Sequence, residues 1–369
     1  MPQMHQARRA AAQQKIAESG ADAALITAPA NVRYLSGLVS SNAAILLPAV
    51  GAGVLATDSR YAEAAGRDCP DIEIATERNL EPALAALAVD RGHATLAFEA
   101  QDMTVERHMA LAGMADGPRL VPLGHVVEDL RMIKDEAEIE LLTRACSITA
   151  EAFAQILGKI VPGRTERGLA VLLERAMIDL GAEALAFDTI VASGPNGAIP
   201  HHSPGARAFE PGDLVTIDCG ARYDGYHADM TRTVALGPPA SWQREIYDLV
   251  AEAQLAGVAA AVPGADVGDV DAAARDLISA AGHGDHFGHG LGHGVGLEVH
   301  ESPLMARGRT GRLLDRVPVT VEPGVYLPGK GGVRIEDTLV VRAGASQGGA
   351  GQAEPPEILT TTTKELLVL

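Results

Sequence analysis

The stretch HGLGHGVGLEVHE (His289–Glu301) holds three histidines in thirteen residues, and glycine occupies every second position from 288 to 296. Glycine lets a backbone turn sharply or pack closely, so these histidines can point into one site. The stretch contains no G-x-G-x-x-G register, and the residues after His300-Glu301 do not complete H-E-x-x-H. Neither common motif explains the histidines, so they need partners from elsewhere in the chain.

Four strand-like runs elsewhere in the chain carry acidic residues, which are candidate partners for the histidines. The runs are DLVTIDCG, HADMTRTVAL, RVPVTVEPGVYL and GGVRIEDTLVV, and their acids include Asp218, Asp229, Glu322 and Glu336. Taken singly, the first three acids fit strand ends or turns, and Glu336 fits a salt bridge with Arg334. Burying an unpaired carboxylate is costly, however, so four such strands need a common explanation.

Taken together, these acids and a histidine form a ligand set for divalent cations. Oxygen donors with one or two imidazoles suit Mn²⁺, Fe²⁺, Co²⁺ or Zn²⁺. Clustered carboxylates without cations would repel one another, which raises their pKa values. A pair of cations ~3.5–4 Å apart would remove this repulsion, polarise a carbonyl and generate hydroxide at neutral pH.

Other histidines give weaker signals on their own. AIPHHSPG places His201 and His202 after a proline, in a predicted loop where surface exposure is the simplest interpretation. His283 and His286 are also interpreted as loop residues.

Composition narrows the class of protein. A chain of 369 residues exceeds the ~250–300 at which a single core stops growing, so two domains are expected. The net charge of -18 argues against binding to nucleic acid or to anionic membrane surfaces. No apolar run of membrane-spanning length or signal peptide is visible. Three widely spaced cysteines argue against a disulfide framework, so a cytoplasmic protein is predicted.

The order of helical and strand-like patterns predicts two different halves. The first ~125 residues alternate between them, as in an α/β unit, and AAILLP with GVLAT predicts a hairpin. Beyond Val127 the chain becomes helical, with a capping-box spacing from Asp135 to Glu138 and a capping position at Thr165. A Val-Pro-Gly sequence precedes a predicted helix twice, about a hundred residues apart, which weakly suggests an internal duplication.

Five motifs then resemble a known family. AIPHHSPG, IDCGARYDGYHADMTRT, GHGLGHGVGLEVHE, VEPGVYLPGKGGVRIED and LTTTTKELLVL are similar, in this order, to motifs of the Xaa-Pro peptidases of the pita-bread metallopeptidases, which include prolidase and aminopeptidase P. NVRYLSG and LATDSRY resemble that family's smaller domain. The resemblance implies an α+β protein, with a smaller N-terminal α/β creatinase-type domain over residues 1–127. A pita-bread (creatinase/aminopeptidase) catalytic domain would follow over residues 128–369.

The resemblance also assigns roles to individual residues. Asp218 matches a ligand of one metal ion, Asp229 and Glu336 match carboxylates that bridge two ions, and His293 and Glu322 match ligands of the second ion. His201 and His300 match catalytic histidines beside the substrate, His289 a substrate-binding histidine of the cleft, and Arg334 a supporting arginine. Glu322 is also expected to accept a proton from the attacking water.

The predicted function is therefore hydrolysis of the bond before proline in a proline-containing peptide, by an Xaa-Pro dipeptidase or aminopeptidase. Two divalent cations are expected, with Mn²⁺ first and Co²⁺, Fe²⁺ or Zn²⁺ as alternatives. The resemblance also implies a homodimer. Two other functions stay open: another hydrolase or lyase reaction with the same fold and metals, and a non-catalytic binding protein.

Overall fold

The structure, a computed structural model, describes residues 2–344 and 354–369. The chain divides into two compact units, Met1–Arg131 and Met132–Leu369. The domain ranges 1–127 and 128–369 stay a prediction, and part of the second range lies outside the described residues.

The N-terminal unit contains a mixed sheet and surrounding helices. Its strands are β1 (Ala23–Ile26), β2 (Ala43–Pro48), β3 (Val54–Thr57), β4 (Glu73–Thr76), β5 (Thr95–Phe98) and β6 (Arg119–Pro122). Its helices are α1 (Pro2–Glu18), α2 (Pro29–Ser36), α3 (Ala62–Asp68), α4 (Leu80–Asp90), α5 (Val105–Ala112) and α6 (Val126–Met132), the last of which ends at the first residue of the second unit. The sheet order is β4-β3-β2-β1-β5-β6, and the predicted hairpin is confirmed by the antiparallel pairing of β2 with β3.

The C-terminal unit combines long helices with several small sheets. Its helices are α7 (Glu136–Ile156), α8 (Glu166–Asp179), α9 (Ser241–Ala260) and α10 (Val267–Ala280). The strands of its first part are β7 (Ala184–Leu185), β8 (Ile190–Ser193), β9 (Leu214–Cys219), β10 (Ala221–Tyr223), β11 (Tyr226–His227) and β12 (Met230–Ala235). Those of its second part are β13 (Gly292–Gly294), β14 (Glu301–Met305), β15 (Pro318–Val321), β16 (Gly324–Leu327), β17 (Gly331–Arg334), β18 (Asp337–Val340) and β19 (Glu357–Ile358).

The C-terminal unit repeats one local arrangement. In both parts a long helix is followed by a Pro-Gly turn and a helix of 14 residues, α8 or α10. Gly163 and Gly264, the turn glycines, both have a φ of 84°, a backbone conformation that glycine adopts without strain. The N-cap residues Thr165 and Asp266 each form an isolated β-bridge to a later segment. The two parts therefore share a helix-pair plan, as the repeated Val-Pro-Gly suggests.

Local sequence signals account for the helix starts of this unit. The Asp135 side chain accepts a hydrogen bond from the Glu138 backbone N–H at 2.9 Å, and the Glu138 carboxylate accepts one from the Asp135 N–H at 2.9 Å. This is the predicted capping box. The Thr165 hydroxyl accepts a hydrogen bond from the Gly168 N–H at 3.1 Å, so the predicted N-cap is also confirmed.

Close backbone packing explains two of the glycines between the histidines. A methyl group on Gly292 would overlap the carbonyl oxygen of Thr320, and one on Gly294 would overlap that of Ser302. Both neighbours are backbone atoms that cannot move aside cheaply. These two glycines therefore allow β13 to pack closely against its partner strands, β14 and β15.

Among the residues that the structure describes, no helix is both long and apolar enough to span a membrane.

A buried ion pair joins four segments of the C-terminal unit: β12, β18, α9 and residues 362–364. The side chains of Arg232 and Asp337 are 3% and 1% exposed, and their charged atoms lie 2.7 Å apart. Arg232 also donates to the backbone carbonyls of Thr362 and Thr363, at 2.7 and 2.8 Å. The Asp337 carboxylate accepts further hydrogen bonds from Gln254 and Lys364.

Replacing Arg232 with Met should lower the free energy of unfolding by about 3 kcal/mol, the lower end of the range for breaking a buried ion pair, because Asp337 keeps only the partly exposed Lys364 as a cationic partner. Trp242, the single tryptophan, packs against the core of this unit, so its fluorescence during denaturant unfolding measures the change.

The matched control is Arg244→Met. The Arg244–Asp248 pair is 46% and 64% exposed with 3.8 Å between charged atoms, so its loss should cost about 0–1 kcal/mol. Equal losses for the two variants would contradict the role of the buried pair.

Candidate metal centre

The first two predicted ligands lie on neighbouring strands. Asp218 is on β9 and Asp229 directly precedes β12, and these strands pair antiparallel with Asp218 opposite Thr231. Both aspartates are buried, at 9% and 5% exposure. Asp218 therefore lies within a buried strand, where its carboxylate needs a partner.

The other three predicted ligands come from the second part of the unit. His293 is on β13, Glu322 directly follows β15, and Glu336 lies between β17 and β18. The Glu336 N–H donates to the backbone carbonyl of Thr231 at 3.1 Å, which brings the second group of ligands against the first.

Three of the predicted ligands form one tight group. Asp229, His293 and Glu336 each offer one atom that can bind a metal, and these three atoms lie within 4.8 Å of one another. His293 Nε2 lies 3.6 Å from Asp229 Oδ2 and 3.4 Å from Glu322 Oε1. His293 Nδ1 lies 3.0 Å from the Gly294 carbonyl oxygen, which can only accept, so Nδ1 carries the hydrogen and the Nε2 lone pair faces the carboxylates.

The electrostatics of this group favour a cation. Burial raises the pKa of Asp229 well above its ordinary value, and the charges of Glu336, Asp218 and Glu322 raise it further. Burial likewise raises the pKa of Glu336, with additions from Glu322 and Asp218. It raises the pKa of Glu322 to about 8. These carboxylates cannot all be charged at neutral pH without a compensating positive charge.

Arg334 compensates part of this charge. Its Nη2 donates to Asp218 Oδ2 at 2.7 Å, and its Nε donates to the Thr231 hydroxyl at 3.0 Å. That hydroxyl in turn donates to Glu336 Oε2 at 2.7 Å. Arg334 thus orients one oxygen of Asp218 directly and one of Glu336 through Thr231.

The remaining oxygens show that the residues fit a metal. Asp218 Oδ1 and Glu336 Oε1 are buried and have no hydrogen-bond partner among the described residues. Burial lowers the pKa of His293 to about 4, so its imidazole is neutral and able to coordinate. Carboxylate oxygens and one imidazole nitrogen are also the donor types of Mn²⁺, Fe²⁺, Co²⁺ and Zn²⁺ sites.

His201 and His300 lie at the exposed side of this group. Both are exposed, and within the described part of the chain neither ring forms a hydrogen bond. The His300 ring lies edge-on to His293 with centroids 4.4 Å apart. Burial lowers the pKa of His300, and so does the nearby charge of His201. Both imidazoles therefore lie near each other on the exposed side of the carboxylate group, which is the predicted cleft, and their ring nitrogens have no partner among the described residues.

His289 has a different environment. Its Nδ1 lies 2.8 Å from the Gly290 carbonyl, and its Nε2 lies 2.8 Å from the Tyr326 hydroxyl. Arg334 Nη1 donates to the same hydroxyl at 2.8 Å. Burial lowers the pKa of His289 to about 4, and the charge of Arg334 lowers it further. Both nitrogens are engaged within the protein, so binding a substrate would require one of these bonds to break.

Thr231 and Tyr326 belong to the site but are not among the residues predicted from the sequence. Thr231 links Arg334 to Glu336, and Tyr326 links Arg334 to His289. Thr231 lies in the motif HADMTRT and Tyr326 in the motif VEPGVYL. The sequence signal that could have indicated both residues is a hydroxyl group in an apolar strand beside charged residues, because a buried hydroxyl requires a hydrogen-bonding partner.

Comparison with known proteins agrees with this geometry. Residues 140–343 match the Metallopeptidase family M24, and residues 8–133 match the Creatinase/Prolidase N-terminal domain. An uncharacterized peptidase of Bacillus subtilis (strain 168), YqhT, is 40% identical over 351 residues, 95% of this chain and 96% of the relative.

Two solved structures extend the similarity to the fold. An Xaa-Pro dipeptidase from Bacillus anthracis has a TM-score of 0.93 at 37% identity, over 99% of this chain and 100% of that chain. An X-Pro aminopeptidase from Thermotoga maritima MSB8 has a TM-score of 0.86 at 37% identity, over 96% and 98%. The predicted fold, a creatinase-type N-terminal domain and a pita-bread C-terminal domain, is confirmed. The chain thus belongs to metallopeptidase family M24 and is a metal-dependent peptidase.

Proposed function

We propose that this M24 peptidase uses two divalent cations to hydrolyse the bond before proline in Xaa-Pro peptides. The observation that carries the proposal is the convergence of five ligand-type side chains, two of which have a buried oxygen without a partner among the described residues. The named activities of the two similar structures, an Xaa-Pro dipeptidase and an X-Pro aminopeptidase, support the choice of substrate.

Five residues would hold the cations. They are Asp218, Asp229, His293, Glu322 and Glu336, whose carboxylate oxygens and imidazole nitrogen would supply the ligands. Mn²⁺ is the proposed metal, with Co²⁺, Fe²⁺ or Zn²⁺ as alternatives, because this donor set does not discriminate strongly among them. When bound, the cations would polarise the scissile carbonyl and supply hydroxide at neutral pH.

The protein groups around the cations have separate roles. Glu322 would accept the proton of the attacking water. His201 and His300, with unoccupied ring nitrogens in the described structure, would donate hydrogen bonds to the substrate carbonyl and to the tetrahedral oxyanion. Arg334 would hold Asp218 in place through their 2.7 Å contact. The substrate-binding role of His289 stays a prediction, as do the homodimer and the cytoplasmic location.

The substrate explains why such a site is useful. The nitrogen of an Xaa-Pro bond carries no hydrogen, so peptidases that bind an extended substrate backbone through that N–H lose a contact. A site that acts on the carbonyl oxygen does not need this hydrogen bond.

The first test compares Ala-Pro with Ala-Pro-Ala after chelation and after reloading with Mn²⁺. Chelation should abolish cleavage and Mn²⁺ should restore it, with two equivalents bound per chain by calorimetry. A preference for Ala-Pro indicates a dipeptidase, and a preference for Ala-Pro-Ala indicates an aminopeptidase. Cleavage of neither peptide by the reloaded protein would favour another reaction on the same fold, and one equivalent at saturation would contradict the dinuclear site.

Replacing His201 or His300 with Ala should lower kcat/KM about 10²- to 10³-fold, since each change removes a hydrogen-bond donor to the developing oxyanion. Bound metal, measured by elemental analysis, should stay unchanged because neither residue is a proposed ligand. His283→Ala is the control: His283 pairs with His286 outside the cleft, and its loss should leave kcat/KM unchanged. Unaltered kinetics in both cleft variants would refute their role.

The metal-free protein should lose stability as the pH rises from 6.5 to about 8. Burial raises the folded-state pKa of Glu322 from 4.5 to about 8, so the folded state binds more protons than the unfolded state in this window. His293 acts in the opposite sense, but only between its folded pKa of about 4 and its ordinary 6.5.

The thermal unfolding midpoint, followed by Trp242 fluorescence, should therefore fall between pH 6.5 and 8. Mn²⁺ should remove the fall, since cations favour the charged carboxylates. Glu322→Gln should make the metal-free slope shallower, because the titrating group is gone. A midpoint that rises over this range would show that the carboxylates are not protonated in the folded state.

A further inference from the structure

A fully buried carboxylate outside the metal centre anchors the loop that carries His201. Glu166, the first residue of α8, is 0% exposed. Its Oε1 accepts hydrogen bonds from the Ser193 N–H and hydroxyl, both at 2.8 Å, and from Asn196 Nδ2 at 2.9 Å. Its Oε2 lies 2.8 Å from His202 Nε2 and accepts from the Gly205 N–H at 3.1 Å.

These five donors come from both ends and the middle of one segment, residues 193–205. Burial alone would raise the pKa of Glu166, but hydrogen bonds from Asn196, His202 and Ser193 outweigh it and hold the pKa below its ordinary value. The carboxylate is therefore charged, and its position in the first turn of a helix favours that charge. Since a carboxylate only accepts, His202 Nε2 must carry a hydrogen.

The same segment reaches the metal centre at its middle. The carbonyl of Pro200, which directly precedes His201, accepts a hydrogen bond from Arg334 Nη1 at 3.3 Å. Arg334 is the residue that holds Asp218. His201 thus lies between a contact to the metal centre on one side and the His202–Glu166 contact on the other.

We infer that Glu166 and His202 are positioning residues that hold the His201 imidazole at the cleft. The inference rests on the proposed function for the role of His201, and it assigns a task to two residues that contact neither substrate nor metal. Without the Glu166 carboxylate, the segment keeps its sequence but loses five of its anchoring hydrogen bonds. His201 would then sample positions from which it cannot reach the substrate carbonyl, and a displacement of about 1 Å can cost 10²-fold in rate.

Glu166→Gln keeps the size of the side chain and one acceptor oxygen, but it presents an amide N–H₂ to the donors on the other side of the group, which need an acceptor. Glu174→Gln is the matched control: Glu174 lies on the same helix, and its side chain has no hydrogen bond or ion pair among the described residues. A second pair of variants tests the contact between His202 and Glu166 by itself. His202→Gln can retain a hydrogen-bond donor near the Nε2 position, whereas His202→Leu removes it.

The decisive experiment is a double-mutant cycle on the Mn²⁺-loaded enzyme, with whichever of Ala-Pro and Ala-Pro-Ala is cleaved better. Glu166→Gln should lower kcat about 10- to 100-fold with a smaller change in KM, because the lost contact acts mainly in the transition state. In a His201→Ala background the same change should cost less than about threefold, since the residue acts through His201. His202→Leu should resemble Glu166→Gln, and His202→Gln should retain most of the activity. Equal losses in both backgrounds would overturn the inference and leave Glu166 a purely structural residue.

Amide hydrogen exchange provides a reading that does not depend on peptidase activity. Peptides covering residues 193–207 should exchange about tenfold faster in Glu166→Gln than in Glu174→Gln or the unmodified protein. Unchanged exchange would overturn the inference even if the enzyme cleaves Xaa-Pro peptides. If the unmodified protein cleaves neither peptide, the proposed function fails, and the exchange experiment still decides whether Glu166 anchors the segment.

Discussion

The mutual repulsion of buried carboxylates is the constraint that organises the C-terminal unit. Asp229, Glu322 and Glu336 lie together with raised pKa values. The guanidinium of Arg334 pairs with the neighbouring Asp218 and reaches Glu336 only through the Thr231 hydroxyl. Such a cluster is unfavourable unless positive charge is supplied to it. One oxygen each of Asp218 and Glu336 lacks a partner among the described residues, which is where a cation would add that charge. Cation binding and the stability of this unit are therefore expected to be linked.

The strand arrangement explains how the carboxylates come to be buried at all. Two aspartates come from the first part of the unit, and His293 and the two glutamates come from the second. The backbone hydrogen bond from Glu336 to Thr231 joins the two parts at the metal centre itself. Asp218 and His293 lie within strands, and the other three predicted ligands directly precede or follow strands. A site attached to strands holds its geometry more closely than one placed on long loops.

The four histidines of the site differ in the hydrogen bonds that their ring nitrogens form. His293 and His289 have neutral imidazoles whose hydrogens are directed by backbone carbonyls. His201 and His300 are exposed and carry no such constraint. If His201 acts on the substrate, its precision must come from its loop. The Glu166 carboxylate is the group in the structure best placed to supply it, because it gathers donors from along that loop.

Much of this protein could be predicted from local sequence patterns. The hairpin of the N-terminal sheet, the Asp135–Glu138 capping box and the Thr165 cap depend on residues a few positions apart, so the sequence itself specifies them. The acids within apolar strands indicated the candidate metal centre, since an acid in a buried strand requires a partner wherever the strand lies. The division of roles among the predicted ligands comes from the family resemblance and stays a prediction.

Only the tertiary structure revealed which distant groups meet. Arg232 with Asp337, Arg334 with Tyr326 and Thr231, and Glu166 with His202 are pairings between separate segments or across a turn, and no periodicity encodes them. His289 illustrates the difference: the resemblance assigns it to substrate binding, but the fold places Tyr326 and a backbone carbonyl against its two nitrogens. A sequence shows which side chains need partners, because the cost of burying a charge or donor is a property of the residue. The choice of partner depends on how strands and helices pack, which is decided by the whole chain.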